Sequence, residues 1–340
     1  MKISVFGAGS WGVANAILLH GNGHDVTLWV KSPEHASVLN DTRENTRLSN
    51  AIIPYGVHIT SDVKQASSGA QIAVFARPAL STRETAELFC DKLSKDCVLV
   101  VAAKGIEQNP PQLLSEVLTS TFGEAQPVAV LSGPAHAEEV ARGVPTACVA
   151  ASRDKAAAEL VQDAFMSASF RVYTSDDIVG VQLGGALKNV IALCAGICDG
   201  LGCGDNTVAA LATRGLTEIA KLATALGGRR ETVAGLAGLG DLIVTCTSRH
   251  SRNRRAGVMI GQGSTATEAV KQTGAAVEGY GTALAVHELA AQIGVEMPIC
   301  TEAYYILYEE KDPHEVIHQL MTRSKRSEDG TEFDESNTWK

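Results

Sequence analysis

Aromatic side chains are scarce, at 5% of 340 residues, while glycine alone contributes 32. Small residues let backbone segments pack closely and approach a ligand. A surplus of positive charge is also missing. Lys and Arg total 29 against 38 Asp and Glu, for a net charge of −9 and a pI near 5.5. Nucleic-acid binders usually present a broad basic face, so DNA and RNA are not expected as partners. The same acidity repels anions at long range, so an anion site must work through local contacts. No Cys-x-x-Cys pair occurs among Cys90, Cys97, Cys148, Cys194, Cys198, Cys203, Cys246 and Cys300. Most of them sit in apolar runs, as small buried hydrophobes do. Cys194, Cys198 and Cys203 could hold a metal, but the 194/198 spacing is also that of one buried helix face, and no metal is expected. The strand-like start, Ile3–Phe6, lacks the longer apolar core of a secretory signal, and the expected setting is a reducing cytoplasm. The longest apolar stretch, Val179 to Cys198, is interrupted by Gln182, Lys188 and Asn189. It reads as a buried helix and not as a stable membrane insertion.

The length, with 45% hydrophobic residues, suits a large core and two domains. In the first half, β-branched runs alternate with helical patterns: Ile3–Phe6, Val26–Val30, Ile72–Ala76, Val98–Ala102, Val128–Leu131, Thr146–Ala150 and Arg171–Thr174. Continuous apolar strands between helices predict a parallel sheet covered on both faces. After Asp176 helical patterns dominate: Val181–Asp199, Val208–Leu226, Thr267–Gln272, Gly281–Ile293 and His314–Leu320. The fold class is therefore an α/β Rossmann-type doubly wound sheet followed by an all-α domain. The expected division is a dinucleotide-binding domain over 1–177, a helical substrate and catalytic domain over 178–323, and a polar, mobile tail over 324–340.

Gly7-Ala8-Gly9-Ser10-Trp11-Gly12 lies between the first strand and a helical run. In that context the first glycine allows a tight turn, the second a close approach to pyrophosphate, and the third close helix–strand packing. The second strand ends in Val30-Lys31-Ser32, where an NAD site usually has Asp or Glu. A cation and a hydroxyl suit a 2′-phosphate, which favours NADP(H) and leaves NAD(H) open. Lys31 as an ordinary surface lysine is the other reading.

Lys188 lies in an otherwise apolar helix, Gly184-Gly-Ala-Leu-Lys-Asn-Val-Ile191. Desolvation there should lower its pKa into a range useful for proton transfer. Gly184, one turn earlier, should leave room for a ligand on the same face. A lysine snorkelling out to water is the plainer alternative. Between 249 and 255 the chain also packs Arg249, His250, Arg252, Arg254 and Arg255. Such a cluster is either an anion site or a solvated basic face.

On these residues the chain resembles the bacterial NAD(P)-dependent glycerol-3-phosphate dehydrogenase family. The resemblance runs from Met1 to about Leu307. It rests on the Gly7–Gly12 turn, Lys104-Gly-Ile-Glu107, Ser132-Gly-Pro134, Gly184–Asn189, Gly204-Asp-Asn206, Thr213–Glu218, Gly235–Leu242, Ser251-Arg-Asn253 and Val277-Glu-Gly279. It implies interconversion of sn-glycerol 3-phosphate and dihydroxyacetone phosphate, which supplies phospholipid synthesis. It further implies Lys188 as the catalytic proton donor and acceptor, with Lys104 near cofactor and substrate and Asp241 orienting both lysine and substrate. Gly133, Asn189, Ser251, Arg252 and Asn253 would contact the phosphate substrate. Gly7, Gly9, Ser10, Trp11, Gly12, Lys31, Lys104, Ala137, Arg252, Ala276 and Glu278 would contact the cofactor. Arg249, Arg254 and Arg255 fall outside the matched triplet and read as solvated charge.

Three departures stand out. Arg77-Pro78-Ala79-Leu80 replaces an apolar-Pro-Ser-His pattern, and Ala135-His136 replaces a hydroxyl residue and Phe. Leu48-Ser49-Asn50 replaces aromatic-Leu-Pro. Arg77 is expected to add a cation near the cofactor diphosphate. The rival readings are a two-domain β-hydroxyacid dehydrogenase, which would lack the Asp241 and Ser251–Asn253 set, and a non-catalytic redox sensor, which would not need Lys188 or Asp241. The abundant apolar helices leave a homodimer open.

Overall fold

The computed structural model describes residues 1–48, 51–325 and Glu328. Ser49, Asn50 and nearly all of the expected 324–340 tail lie outside the described residues. The strands, in chain order, are β1 (Lys2–Phe6), β2 (Asp25–Trp29), β3 (His58–Thr60), β4 (Ile72–Phe75), β5 (Val98–Val101), β6 (Ile106–Glu107), β7 (Gln112–Leu113), β8 (Val128–Ser132), β9 (Thr146–Ser152) and β10 (Phe170–Ser175). Eight of them form one sheet, ordered β10-β9-β8-β5-β4-β1-β2-β3, and β6 pairs with β7 in a separate hairpin.

β4 and β5 are buried at every position, which is why they read as unbroken apolar runs. One face packs Ile3, Val5, Val74 and Val100 with Val13, Ala16 and Leu19 of the helix Ser10–Gly21. The other packs Phe6, Trp29, Phe75 and Val101 with Phe89 and Leu118. The rings of Phe6 and Phe89 stack at 3.9 Å between centroids.

The expected all-parallel sheet needs one correction. β8 and β9 run antiparallel, with Leu131 opposite Ala150, while the other pairings in this sheet are parallel. The link between them contains one short helix, Ala137–Val140. That single turn cannot carry the chain back along the full strand, so β9 returns from the end where β8 stopped. The short strand β3 was absent from the expected runs.

From Ile178 onward the described elements are helical. The central helix, Ile178–Gly200, begins with Asp177 Oδ1 accepting from Gly180 N at 2.8 Å, a side-chain N-cap. It is long and apolar enough to cross a membrane, yet 94% of its apolar window is buried inside the protein. Ile178 and Val181 belong to the sheet core, while Leu183, Leu187, Val190 and Leu193 belong to the helical core. Ile106 and Leu113 of the β6–β7 hairpin are also built into the helical core.

The helix Arg252–Gly261 packs backbone to backbone on the central helix. A Cβ on Gly257 would stand 2.0 Å from Leu193 O, and one on Gly196 would stand 2.1 Å from Arg254 O. Only glycine permits this approach. It fixes the height at which Asn253 meets Asn189.

Candidate active site

A cleft of about 570 Å³ lies between the sheet's Gly7–Trp11 turn and the helical half. Gly7 has φ of +118°, and a Cβ on Gly12 would stand 1.8 Å from Gly7 O. The turn is therefore closed to larger residues. The N-terminus of helix Ser10–Gly21 has no side-chain cap, so its amide donors remain for an anion. Space is open at Gly9, where a Cβ would meet nothing within 4 Å. An open, uncapped helix end in a cleft of this size fits a dinucleotide pyrophosphate. Trp11 and Ser10 line the cleft, but both polar groups are already engaged. Trp11 Nε1 donates to Ala102 O at 3.1 Å, and Ser10 Oγ donates to Arg47 O at 2.8 Å. Ala137, Ala276, Glu278, Lys31 and Arg252 line the same cleft.

At its base lies a three-residue charged bridge. Asp241 Oδ1 is 2.8 Å from Lys188 Nζ, and Oδ2 is 2.6 Å from Lys104 Nζ. Lys188 is 6% exposed and Asp241 is 1% exposed. Lys188 does not snorkel. It donates also to Thr245 Oγ1 at 2.7 Å, and Lys104 donates to Gly133 O at 2.8 Å. Burial lowers the Lys188 pKa to about 8; Asp241 opposes the fall and Lys104 adds to it. Burial would raise Asp241, yet the Lys104 and Lys188 ammoniums outweigh it and hold the carboxyl below its ordinary value.

Asp241 follows a π-helical turn, Leu236–Gly240, closed by Gly240 N donating to Gly235 O at 3.1 Å. Such turns concentrate at functional sites. Here the turn feeds Asp241 into the first position of helix Asp241–Thr247. This overturns the expectation for Gly184. A Cβ there would stand 2.8 Å from Ala237 O and 2.9 Å from Gly238 Cα. The space it leaves holds the π-turn backbone, not a ligand.

A chain of amides joins the remaining residues. Asn189 Nδ2 donates to Lys104 O at 3.0 Å. Asn253 Nδ2 donates to Asn189 Oδ1 at 2.8 Å, and Asn253 Oδ1 accepts from Gly279 N at 2.9 Å. Ser251 caps helix Arg252–Gly261 through Arg254 N at 3.2 Å, while Arg252 is exposed at the cleft. Arg254 corrects the reading of solvated charge: its Nη2 pairs with Asp199 Oδ2 at 2.6 Å. Arg77 lines the cleft, but its guanidinium is taken up by Thr85 and Glu84. Glu278 Oε1 accepts from Ala79 N at 3.2 Å, and burial pushes its pKa up to about 7.

Sequence reasoning missed Thr245 and left His136 without a role. Thr245 was findable, because it stands one helical turn after Asp241 and so shares its face. His136 and His250 both line the cleft, with ring centroids 6.1 Å apart. Burial, then the Lys188 charge, lowers the His136 pKa. Among the described residues, no group of three or more His, Cys, Asp or Glu side chains is placed to hold a metal ion.

Known proteins resemble this chain along both halves. A family profile described as NAD-dependent glycerol-3-phosphate dehydrogenase N-terminus matches residues 2–158, and the corresponding C-terminus profile matches 177–318. A glycerol-3-phosphate dehydrogenase (NAD(P)+) of Thermoanaerobacter sp. (strain X514) is 50% identical over 328 residues, 96% of this chain and 99% of the relative. One from Moorella thermoacetica is 50% identical over 333 residues, covering 96% and 97%. The crystal structure of glycerol-3-phosphate dehydrogenase from Coxiella burnetii superposes with a TM-score of 0.91 at 37% identity, covering 95% of this chain and 99% of that one. With both halves matched in order and the identity sustained along the whole fold, the chain belongs to the NAD-dependent glycerol-3-phosphate dehydrogenase family.

Proposed function

We infer that the chain is an oxidoreductase that interconverts sn-glycerol 3-phosphate and dihydroxyacetone phosphate with NAD(P)(H). The observation that carries this reading is the buried Lys188–Asp241–Lys104 bridge, which opens on a cleft shared with the Gly7–Gly12 turn. A bound nicotinamide supplies or accepts the hydride. The protein's part is to position the substrate and move one proton.

In reduction, Lys188 as ammonium donates a proton to the substrate oxygen; in oxidation, its neutral amine takes that proton back. A pKa near 8 lets one group serve both directions at physiological pH. Asp241 holds Lys188 and Lys104 together, and Thr245 fixes the remaining orientation of the Lys188 ammonium. Arg252, at the start of its helix, is the proposed anchor for the substrate phosphate, with the helix N-terminus reinforcing it. Ser251 and Asn253 hold that helix end in place. Gly133 presents its carbonyl to Lys104.

Lys31 and Ser32 support NADP(H) as the preferred cofactor. The proposed setting is the cytoplasm, the proposed assembly a homodimer, and the proposed role supply of glycerol 3-phosphate for phospholipid synthesis. The purified chain should consume NADPH with dihydroxyacetone phosphate and ignore a panel of 2-keto and 3-keto acids. Turnover of a keto acid in preference to the phosphate would overturn the substrate assignment.

A further inference from the structure

The second strand lacks the carboxylate that usually meets the adenosine ribose in an NAD site. The structure brings a carboxylate from another element to the cation that follows this strand, Lys31. Glu84, in the first turn of helix Thr82–Phe89, is hydrogen-bonded by Lys31 and lies 3.2 Å from Arg77 Nη2. Arg77 is held in turn by Thr85 Oγ1 at 2.8 Å, and its guanidinium lies 5.9 Å from the Trp29 ring centre. Lys31, Ser32, His35 and Arg77 all line the cleft where β2 ends. The Lys31 hydrogen bond, ahead of the Arg77 charge, holds the Glu84 carboxyl below its ordinary value. Glu84 is therefore an anion at neutral pH, already bound to Lys31 and Arg77, two cations that line the cleft where β2 ends.

We propose that Glu84 sets how strongly this chain prefers NADP(H): its carboxylate engages Lys31 and Arg77, and a 2′-phosphate must displace it to gain both cations. This rests on the reading of Lys31 as the 2′-phosphate contact. Arg77 moves with it, from the diphosphate to the 2′-phosphate. With Glu84 in place, the three side chains carry a net charge of +1; without it they would carry +2 against a dianion. A nucleotide without the 2′-phosphate meets no such competition, which accounts for a site open to both cofactors.

The test is binding of adenosine 2′,5′-bisphosphate and adenosine 5′-monophosphate to the full chain, measured by titration calorimetry. Lys31 and Glu84 side chains are 59% and 53% exposed, so substitutions there leave the core intact. Glu84→Gln should tighten the bisphosphate about fivefold, the scale of one exposed charge pair, and leave the monophosphate within about twofold. The gain should vanish in a Lys31→Ala, Arg77→Ala background. A bisphosphate Kd that is unchanged or weakened in Glu84→Gln overturns the inference. Lys31→Ala separates the two levels. If it weakens the bisphosphate while Glu84→Gln does nothing, only the inference fails. If it leaves the ratio of the two Kd values unchanged, the NADP(H) reading falls and the inference with it.

Discussion

Replacing Asp241 by Asn tests the charge logic of the site most directly. The change preserves volume and removes the one carboxylate between two ammoniums, 2.8 Å from Lys188 and 2.6 Å from Lys104. Removing one partner of a buried ion pair costs about 3–5 kcal/mol. Lys188 can escape that cost by giving up its proton. At about 1.36 kcal/mol per pH unit, its pKa should fall by about two to four units from its value of about 8, and Lys104 remains as a like charge pushing the same way. At pH 7 the protonated fraction of Lys188 then drops to roughly one in ten to one in a thousand. The reductive rate should drop in proportion, because the proposed reduction needs the ammonium. The assay is kcat/KM for dihydroxyacetone phosphate across pH 5 to 9. Wild type should lose reductive activity as pH rises through about 8 and gain oxidative activity over the same range. Asp241→Asn should show both limbs displaced to lower pH, with reductive activity partly recovered in acid. A limb that stays near pH 8 with a uniformly lower rate would refute the reasoning, since it would mean that Asp241 holds geometry without setting the proton affinity.

Further outcomes follow from other contacts. Lys188→Ala should lose most of kcat while keeping NADPH affinity, measured by fluorescence titration; near-normal kcat would falsify its role. Arg252→Ala should raise KM for dihydroxyacetone phosphate about 10- to 100-fold, the range for a lost charge-assisted hydrogen bond, and partial rescue by Lys would support a phosphate contact. Glu218 caps helix Pro298–Tyr308 by accepting from Ile299 N and Cys300 N at 2.7 and 3.1 Å, and burial lifts its pKa from 4.5 to about 7. The folded state thus holds this proton more tightly than the unfolded chain does, and stability should fall as pH rises from about 4.5 to about 7, by roughly 3 kcal/mol. Subtracting the melting profile of Glu218→Gln from that of wild type should isolate this slope. Parallel profiles would contradict it.

Legibility in the sequence followed the range of the interactions involved. β1, its glycine turn and the buried central helix were visible, because each is a local pattern of apolar spacing and glycine. Lys188 was visible because one charge in an apolar helix has few explanations. The reversal of β9 was not, since two apolar runs joined by a short link do not by themselves show which way they pair. Helix Arg252–Gly261 was also hidden. Its buried positions Asn253, Ala256, Gly257 and Ile260 keep helical spacing, but three of the four are polar or tiny and register weakly as a stripe. The π-turn before Asp241 fell outside every expected helix. Arg77 could be flagged as a departure, but its attachment to Glu84 and Thr85 needed the position of helix Thr82–Phe89.

The β6–β7 hairpin has a consequence for how the molecule comes apart. Ile106 and Leu113, encoded in the sheet half, are 1% and 5% exposed within the helical core, while Ile178 and Val181 from the helical half help close the sheet core. Each half thus completes the other's interior. Melting should be a single cooperative event, amide exchange in the two halves should share one free energy, and a fragment ending near residue 177 should be prone to aggregate. Such interlocking also ties the cleft's two walls into one unit, so loosening either core loosens the site.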